Sequence, residues 1–152
     1  MSFWKNRSVF VTGATGFLGR WLTGALVAEG ARVVALVRDW DPRAPFIREG
    51  VGAQVTIVRG CLEDAAVLER SVNEYEVETV FHLAAQAIVG VANRNPVSTF
   101  TANIQGTWNV LEACRRCGSG AGIVIASSDK AYGRHNTLPY EEDFPLQGRH
   151  PY

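Results

Sequence analysis

Three glycines, Gly13, Gly16 and Gly19, set between an apolar run and a helical pattern, constrain this chain more than any other feature. The run before them, Ser8 to Thr12 (SVFVT), is short and rich in β-branched and aromatic residues, as a buried strand is. After them, Leu18, Trp21, Leu22, Ala25 and Leu26 recur at helical spacing and predict one apolar helix face, stopped by Gly30. A strand that turns through glycine into a helix aims backbone N–H groups and a helix N-terminus at one point, which suits a phosphate. A bare glycine pattern is weak evidence, but here the strand and helix supply the context the mechanism needs. The competing reading is a turn cluster with no ligand.

The same alternation continues along the chain. Strands are predicted at Arg32–Val37, Gln54–Val58, Thr79–Leu83 and Gly122–Ala126. Asp64 caps a helix carrying Leu68 and Val72. Asn95 and Pro96 open a long helix whose apolar face reads Val97, Phe100, Ile104, Trp108 and Leu111, ended by Gly118. Beyond Ala126 the periodicity gives way to a polar, proline-containing segment. Strands separated by helices imply parallel βαβ units, hence an α/β doubly wound parallel sheet over residues 1–152, with ligands at the carboxyl ends of the strands.

Composition removes several function classes. Fifteen Lys and Arg against fifteen Asp and Glu leave no basic footprint, so no nucleic acid partner is expected. No apolar run approaches the ~20 residues of a membrane span, so no membrane partner is expected either. The opening Met1-Ser2-Phe3-Trp4-Lys5 has no signal-peptide core, and a cytoplasmic location follows. Cys61, Cys114 and Cys117 have no framework spacing; Cys114-Arg115-Arg116-Cys117 reads as ordinary helix-end thiols, and no metal site is expected.

The glycine spacing of three and three, with Thr12 before it and Phe17-Leu18 inside it, resembles the extended short-chain dehydrogenase/reductase family. Three further segments carry the resemblance: His82-Leu83-Ala84-Ala85-Gln86, Asn103-Ile104-Gln105-Gly106-Thr107 and Ser127-Ser128-Asp129-Lys130-Ala131-Tyr132-Gly133. It implies a Rossmann fold and a nicotinamide cofactor. It also implies that Gly13, Thr15, Gly16, Phe17, Leu18, Gly19, Arg38, Asp39, Cys61, Leu62, Leu83, Ala84, Ala85, Gln86, Asn103 and Ser127 line that cofactor. Asp39 at the end of the second strand favours NAD, since an acid accepts from ribose hydroxyls and repels a 2′-phosphate. Arg38 beside it favours NADP, the alternative. Cys61 stands where the family has an aspartate for the adenine amino group; losing that bond costs only ~1 kcal/mol.

Within the family, Phe3-Trp4, Ala-Ala-Gln and Ser-Asp-Lys most resemble nucleotide-sugar 4,6-dehydratases, with a CDP-glucose-like substrate. That likeness implies the catalytic residues Ser128, Asp129, Lys130 and Tyr152. Ser128 would hydrogen-bond the sugar's carbon 4 oxygen, and Tyr152 would take its hydroxyl proton. Asp129 would protonate the departing carbon 6 hydroxyl, which needs a carboxyl whose pKa is raised by burial. Lys130 would be the carbon 5 base, which needs its pKa lowered from ~10.4 to ~7–8. The competing reading is a surface ion pair of Asp129 with Lys130. The family's tyrosine has a lysine four residues later, so the chain is expected to stop in the first turn of the catalytic helix, without the substrate-holding region. Pairing of two copies in the intact protein is expected through two helices, the second starting near Tyr152. His82 reads as a strand histidine beside the cofactor, His135 and His150 as loop residues without named partners, and Glu141-Glu142-Asp143 as a solvated run. Two other functions remain: a nucleotide-sugar 4-epimerase or reductase, which needs no elimination acid, and a non-catalytic nicotinamide-binding module.

Overall fold

Five parallel strands form one sheet in the order β3-β2-β1-β4-β5, in a computed structural model that describes residues 2–118 and 120–152. They are β1 (Ser8–Thr12), β2 (Arg32–Val37), β3 (Thr56–Arg59), β4 (Thr79–His82) and β5 (Gly122–Ile125). The helices are α1 (Phe17–Ala28), the single turn α2 (Pro45–Arg48), α3 (Ala65–Glu74), α4 (Val89–Arg94), α5 (Pro96–Phe100) and α6 (Gly106–Cys117). A π-helical turn, Thr101–Gln105, joins α5 to α6. The doubly wound α/β arrangement expected from the alternation is the one observed. The order in which strands are added reverses between β1 and β4, which opens a crevice at their carboxyl ends.

Both faces of the sheet are covered at β1 and β2, which is why these strands read as continuous apolar runs rather than alternating ones, whereas Val124 and Ile125 of the edge strand β5 are exposed. Phe10, Val34, Leu36, Val58 and Val80 pack on one side with Leu68 and Val72 of α3 and Val110 of α6. Val9, Val11, Val33, Ala35 and Val37 pack on the other with Leu26 of α1 and Phe46 of α2. Each fully buried side chain of this size contributes about 1.5–3 kcal/mol. Asp64 caps α3 by accepting from the Val67 N–H (3.1 Å), and Asn95 caps α5 by accepting from the Ser98 N–H (3.2 Å). Gly118 ends α6 in the left-handed conformation (φ 60°).

The helix faces differ from the sequence pattern. α1 buries Gly19, Thr23 and Leu26, while Leu18, Trp21 and Ala25 face solvent. α6 buries Gly106, Asn109, Val110, Ala113 and Cys114. The large residues Val97, Phe100, Ile104, Trp108 and Leu111 are instead all exposed, by 41–72%. Size decides this: a helix rests closely on a sheet through small residues, and a Cβ on Gly106 would already crowd the Leu62 side chain (2.7 Å). The predicted long helix is also interrupted by the π-helical turn, which adds a residue and shifts the phase of the helix face. The pattern gave no sign of α2 or α4, which are short.

Candidate functional site

The glycine turn is the base of the site. Gly13 has φ +74°, and a Cβ there would stand 2.7 Å from the Ala84 nitrogen. A Cβ on Gly19 would overlap the Gly13 carbonyl oxygen. Both glycines are therefore required by close backbone packing. Gly16 differs: its φ is −75°, it is exposed, and its missing Cβ would meet only the Gly13 oxygen at 3.2 Å. The turn closes through Gly16 N–H donating to the Gly13 carbonyl (3.0 Å).

α1 then begins at Gly16 with no side-chain cap and no acid in its first turn. Its leading N–H groups emerge beside exposed Phe17 and Leu18, and a twelve-residue helix presents its positive end there. A bare cradle without its own anion fits a dinucleotide's pyrophosphate. Thr15, half-buried, borders the same turn.

β4 delivers the second wall. Leu83 N–H donates to the Thr12 carbonyl (3.2 Å) and Ala84 N–H to Thr12 Oγ1 (3.2 Å), which presses this segment against Gly13. Gln86 N–H donates to Asn103 Oδ1 (2.7 Å), and Asn103 Nδ2 donates back to the Gln86 carbonyl (3.1 Å). Asn103 Nδ2 also reaches the Tyr152 carbonyl oxygen (3.4 Å). Ala85 between them is exposed. Leu83, Ala84, Ala85, Gln86 and Asn103 thus form one wall opposite the glycine turn.

The β2 and β3 ends form the third side. Arg38 Nε donates to Asp39 Oδ2 (2.7 Å) in an ion pair exposed on both members. Each neutralises the other, so neither acts as an isolated charge toward a ribose or a phosphate. Arg59 lies over the Trp40 ring (4.5 Å), a contact the sequence did not suggest. Cys61 is half-buried. Leu62 is a core residue whose side chain packs inward and whose carbonyl accepts from Asn109 Nδ2 (2.9 Å), so only its backbone can line a ligand.

Beyond β5, Ser127 and Ser128 are exposed, and Ser128 Oγ caps a short 3₁₀ turn (Asp129–Tyr132) by accepting from the Lys130 N–H (3.2 Å). Lys130 Nζ donates to Asp129 Oδ2 (2.7 Å) in solvent. That hydrogen bond lowers the Asp129 pKa and raises that of Lys130. The elimination chemistry requires the reverse: a protonated acid and a neutral base. The physical reason is that each group stabilises the other's charge through their hydrogen bond, and at this exposed turn desolvation is too slight to outweigh it. The surface ion pair considered from sequence is the state observed here.

Lys130 and Tyr152 nevertheless border one cavity of about 640 Å³, with Gly133, Arg134, Tyr140, Gln147, Arg149 and His150. Arg134 and Arg149, absent from the sequence reading, add positive charge. The His150 and Tyr152 rings stack at 5.6 Å. His135, without a named partner in the sequence reading, is enclosed by Tyr140 and Phe144 and contacts the Tyr132 carbonyl (2.8 Å). It organises the loop that forms this cavity. Glu141, Glu142 and Asp143 are exposed.

His82 is 3% exposed, between Thr12 Oγ1 (2.7 Å from Nδ1) and Thr107 Oγ1 (3.0 Å from Nε2), and burial lowers its pKa. Burial raises the pKa of Cys114 and of Cys117, and both stay thiols. Among the described residues no group of three or more His, Cys, Asp or Glu could hold a metal ion, and no helix is long and apolar enough to cross a membrane.

The family model described as GDP-mannose 4,6 dehydratase matches residues 10–152. The CDP-glucose 4,6-dehydratase of Salmonella typhimurium is 36% identical over 99% of this chain and 43% of its own length. UDP-glucuronate 4-epimerase 3 of Arabidopsis thaliana is 38% identical over 91% of this chain and 33% of its own. The solved structure of Thermus thermophilus UDP-glucose 4-epimerase in complex with NAD superposes with a TM-score of 0.80 at 36% identity, over 95% of this chain and 46% of that one. The chain spans less than half the length of these relatives.

Proposed function

Because the chain belongs to the GDP-mannose 4,6 dehydratase family, a branch of the extended short-chain dehydrogenases/reductases whose members include nucleotide-sugar dehydratases and 4-epimerases, we propose that it is the NAD-binding part of a cytoplasmic nucleotide-sugar 4,6-dehydratase acting on a CDP-glucose-like substrate. The observation that carries the reading is the uncapped glycine turn at the head of α1, with the Ser128-Asp129-Lys130 turn following β5 of the same sheet.

The N–H groups at the start of α1 hold the pyrophosphate, and Gly13 and Gly19 keep the backbone close enough to do so. Asp39, turned from Arg38, accepts from the adenosine ribose hydroxyls, which favours NAD over NADP. The Ala84–Gln86 wall and Asn103 border the nicotinamide side. NAD, when bound, supplies reversible hydride acceptance. Ser128 donates a hydrogen bond to the sugar's carbon 4 oxygen, and Tyr152 accepts the carbon 4 hydroxyl proton. Lys130 accepts the carbon 5 proton, and Asp129 gives its proton to the carbon 6 hydroxyl, which leaves as water. Those last two roles need the Asp129–Lys130 pair desolvated, and bound substrate excludes water from it. Arg134 and Arg149 make the cavity beside Lys130 and Tyr152 cationic, which suits the substrate's diphosphate. We assign the expected pairing of two copies to the exposed stripe Val97, Phe100, Ile104, Trp108 and Leu111.

A 4-epimerase is the second reading, favoured by the ionised state of Asp129, since epimerisation eliminates nothing. The test is incubation of the longest expressible form with NAD and, separately, CDP-glucose and UDP-glucuronate, followed by chromatography that separates the sugar epimers and mass spectrometry of each peak. Loss of one water from CDP-glucose supports the dehydratase. An isomer of unchanged mass from UDP-glucuronate replaces it with the epimerase.

A further inference from the structure

The hydrogen bonds around His82 admit one arrangement of protons. Thr107 Oγ1 lies 2.7 Å from the Asn103 carbonyl oxygen. A carbonyl cannot donate, so the Thr107 hydroxyl hydrogen points there. Thr107 Oγ1 therefore accepts from His82, and Nε2 carries a proton. On the other side, Thr12 Oγ1 accepts from the Ala84 N–H and lies 2.7 Å from His82 Nδ1, and among the described contacts its buried hydroxyl hydrogen finds an acceptor only in an unprotonated Nδ1. Nδ1 is then an acceptor and the ring is neutral. Thr12 and His82 are register partners at the carboxyl ends of β1 and β4, so the network crosses the sheet at its switch point.

The chain of bonds continues to the cofactor-facing wall. Thr107 anchors the Asn103 carbonyl, and the Asn103 side chain clamps Gln86 from both sides. We propose that His82, neutral with its proton on Nε2, is a positioning residue that ties the glycine-turn strand to the π-helical turn and so holds the Ala84–Gln86 wall in register for the cofactor. This rests on the glycine turn being an NAD site.

A second proton would disrupt the network. Nδ1–H would face Thr12 Oγ1, and the fully buried Thr12 hydroxyl hydrogen would lose its acceptor. Burial is what disfavours that proton. No charged group on the neighbouring β1, β5 or π-helical turn offsets it, since none of the three carries a titratable side chain. On α6, Glu112, Arg115 and Arg116 are exposed at the far end, and Cys114 and Cys117, their pKa values raised by burial, remain thiols.

The test combines two measurements. First, long-range ¹H–¹⁵N NMR at pH 8 reads the tautomer; of the three histidines, the His82 signals are those lost in His82→Gln. Nε2–H with an unprotonated Nδ1 is expected, and the other tautomer or a doubly protonated ring overturns the proposal. Second, NAD affinity is titrated from pH 8 to 5.5 on wild type, His82→Gln and His82→Leu, with circular dichroism to certify folding. Glutamine keeps an N–H near the Nε2 position; leucine keeps only volume. Burial holds the folded-state pKa of His82 below the ordinary histidine value, so wild type should keep its affinity through about pH 6.5 and weaken only further into the acid range, and His82→Gln should stay within about threefold of wild type at pH 8 with a flat profile. His82→Leu should bind roughly tenfold more weakly at pH 8. Equal behaviour of the two variants, or a pH profile unchanged by substitution, overturns the proposal. Wild type that fails to bind NAD at pH 8 overturns the cofactor reading and the proposal with it.

Discussion

Gly19 sits so close to Gly13 that a Cβ on the first would overlap the carbonyl oxygen of the second, whereas a Cβ on the exposed Gly16 between them would meet only that same oxygen, at 3.2 Å. The three glycines of one motif thus do two jobs. Gly19→Ala should cost about 3 kcal/mol or more, because backbone on both sides must move. Gly16→Ala should change stability by less than about 1 kcal/mol. Urea unfolding of the two variants checks this; equal losses would show that the close approach of α1 to the glycine turn is misdrawn.

Asn103 both accepts from and donates to Gln86. Asn103→Asp keeps the acceptor and the size but removes the donor, leaving the Gln86 carbonyl facing a carboxylate. NAD should bind roughly tenfold more weakly, with a stability loss of about 1–3 kcal/mol. Calorimetric titration beside thermal melting separates the two effects. Unchanged affinity would mean that the wall does not contact the cofactor.

Removing Asp39 frees Arg38 from its 2.7 Å partner. Asp39→Ala should shift the ratio of NADP to NAD affinity toward NADP by about tenfold or more, as a charge-assisted contact to the 2′-phosphate replaces a repulsion. Separate titrations of the two cofactors read the shift. A ratio that stays fixed would place the ribose away from the end of β2.

Stability should depend on pH through His82. Burial lowers its folded-state pKa below the ordinary 6.5, so the unfolded chain protonates first as pH falls. The contribution is fully present above about pH 6.5, declines below it, and levels off once the folded state also takes the proton. Urea midpoints at pH 7.5 and 5.5 should differ more for wild type than for His82→Gln. A difference of the same size in both would assign the pH dependence elsewhere.

The sheet was legible because its signals are local. Buried strands read as apolar runs, Asp64 and Asn95 cap the helices expected of them, and the glycine turn falls between β1 and α1 as its mechanism demands. The helix faces were not legible. Periodicity marks where large apolar residues lie, but the sheet accepts α1 and α6 through Gly19, Thr23, Gly106 and Ala113. Trp21 and Trp108 therefore point to solvent although they sit on the most apolar stripes. The π-helical turn also has no periodic signature. Within the site, the Asp129–Lys130 contact could be anticipated from adjacency, but its solvation could not, and solvation decides both pKa directions. The Thr12–His82–Thr107 network needed the register between β1 and β4, which joins residues 70 positions apart.

The central claim is that the glycine turn at the head of α1 binds the pyrophosphate of NAD. Its most direct test is calorimetric titration of NAD into wild type and Gly16→Val at pH 8, with circular dichroism on both. Position 16 is exposed with an ordinary extended backbone and a Cβ there meets only the Gly13 oxygen, at 3.2 Å, so valine strains the fold far less than it fills the place of the phosphate. The account predicts saturable binding to wild type, no detectable binding to a Gly16→Val protein of unchanged dichroism, and no other large difference between them. Equal NAD affinity in the two proteins would contradict it.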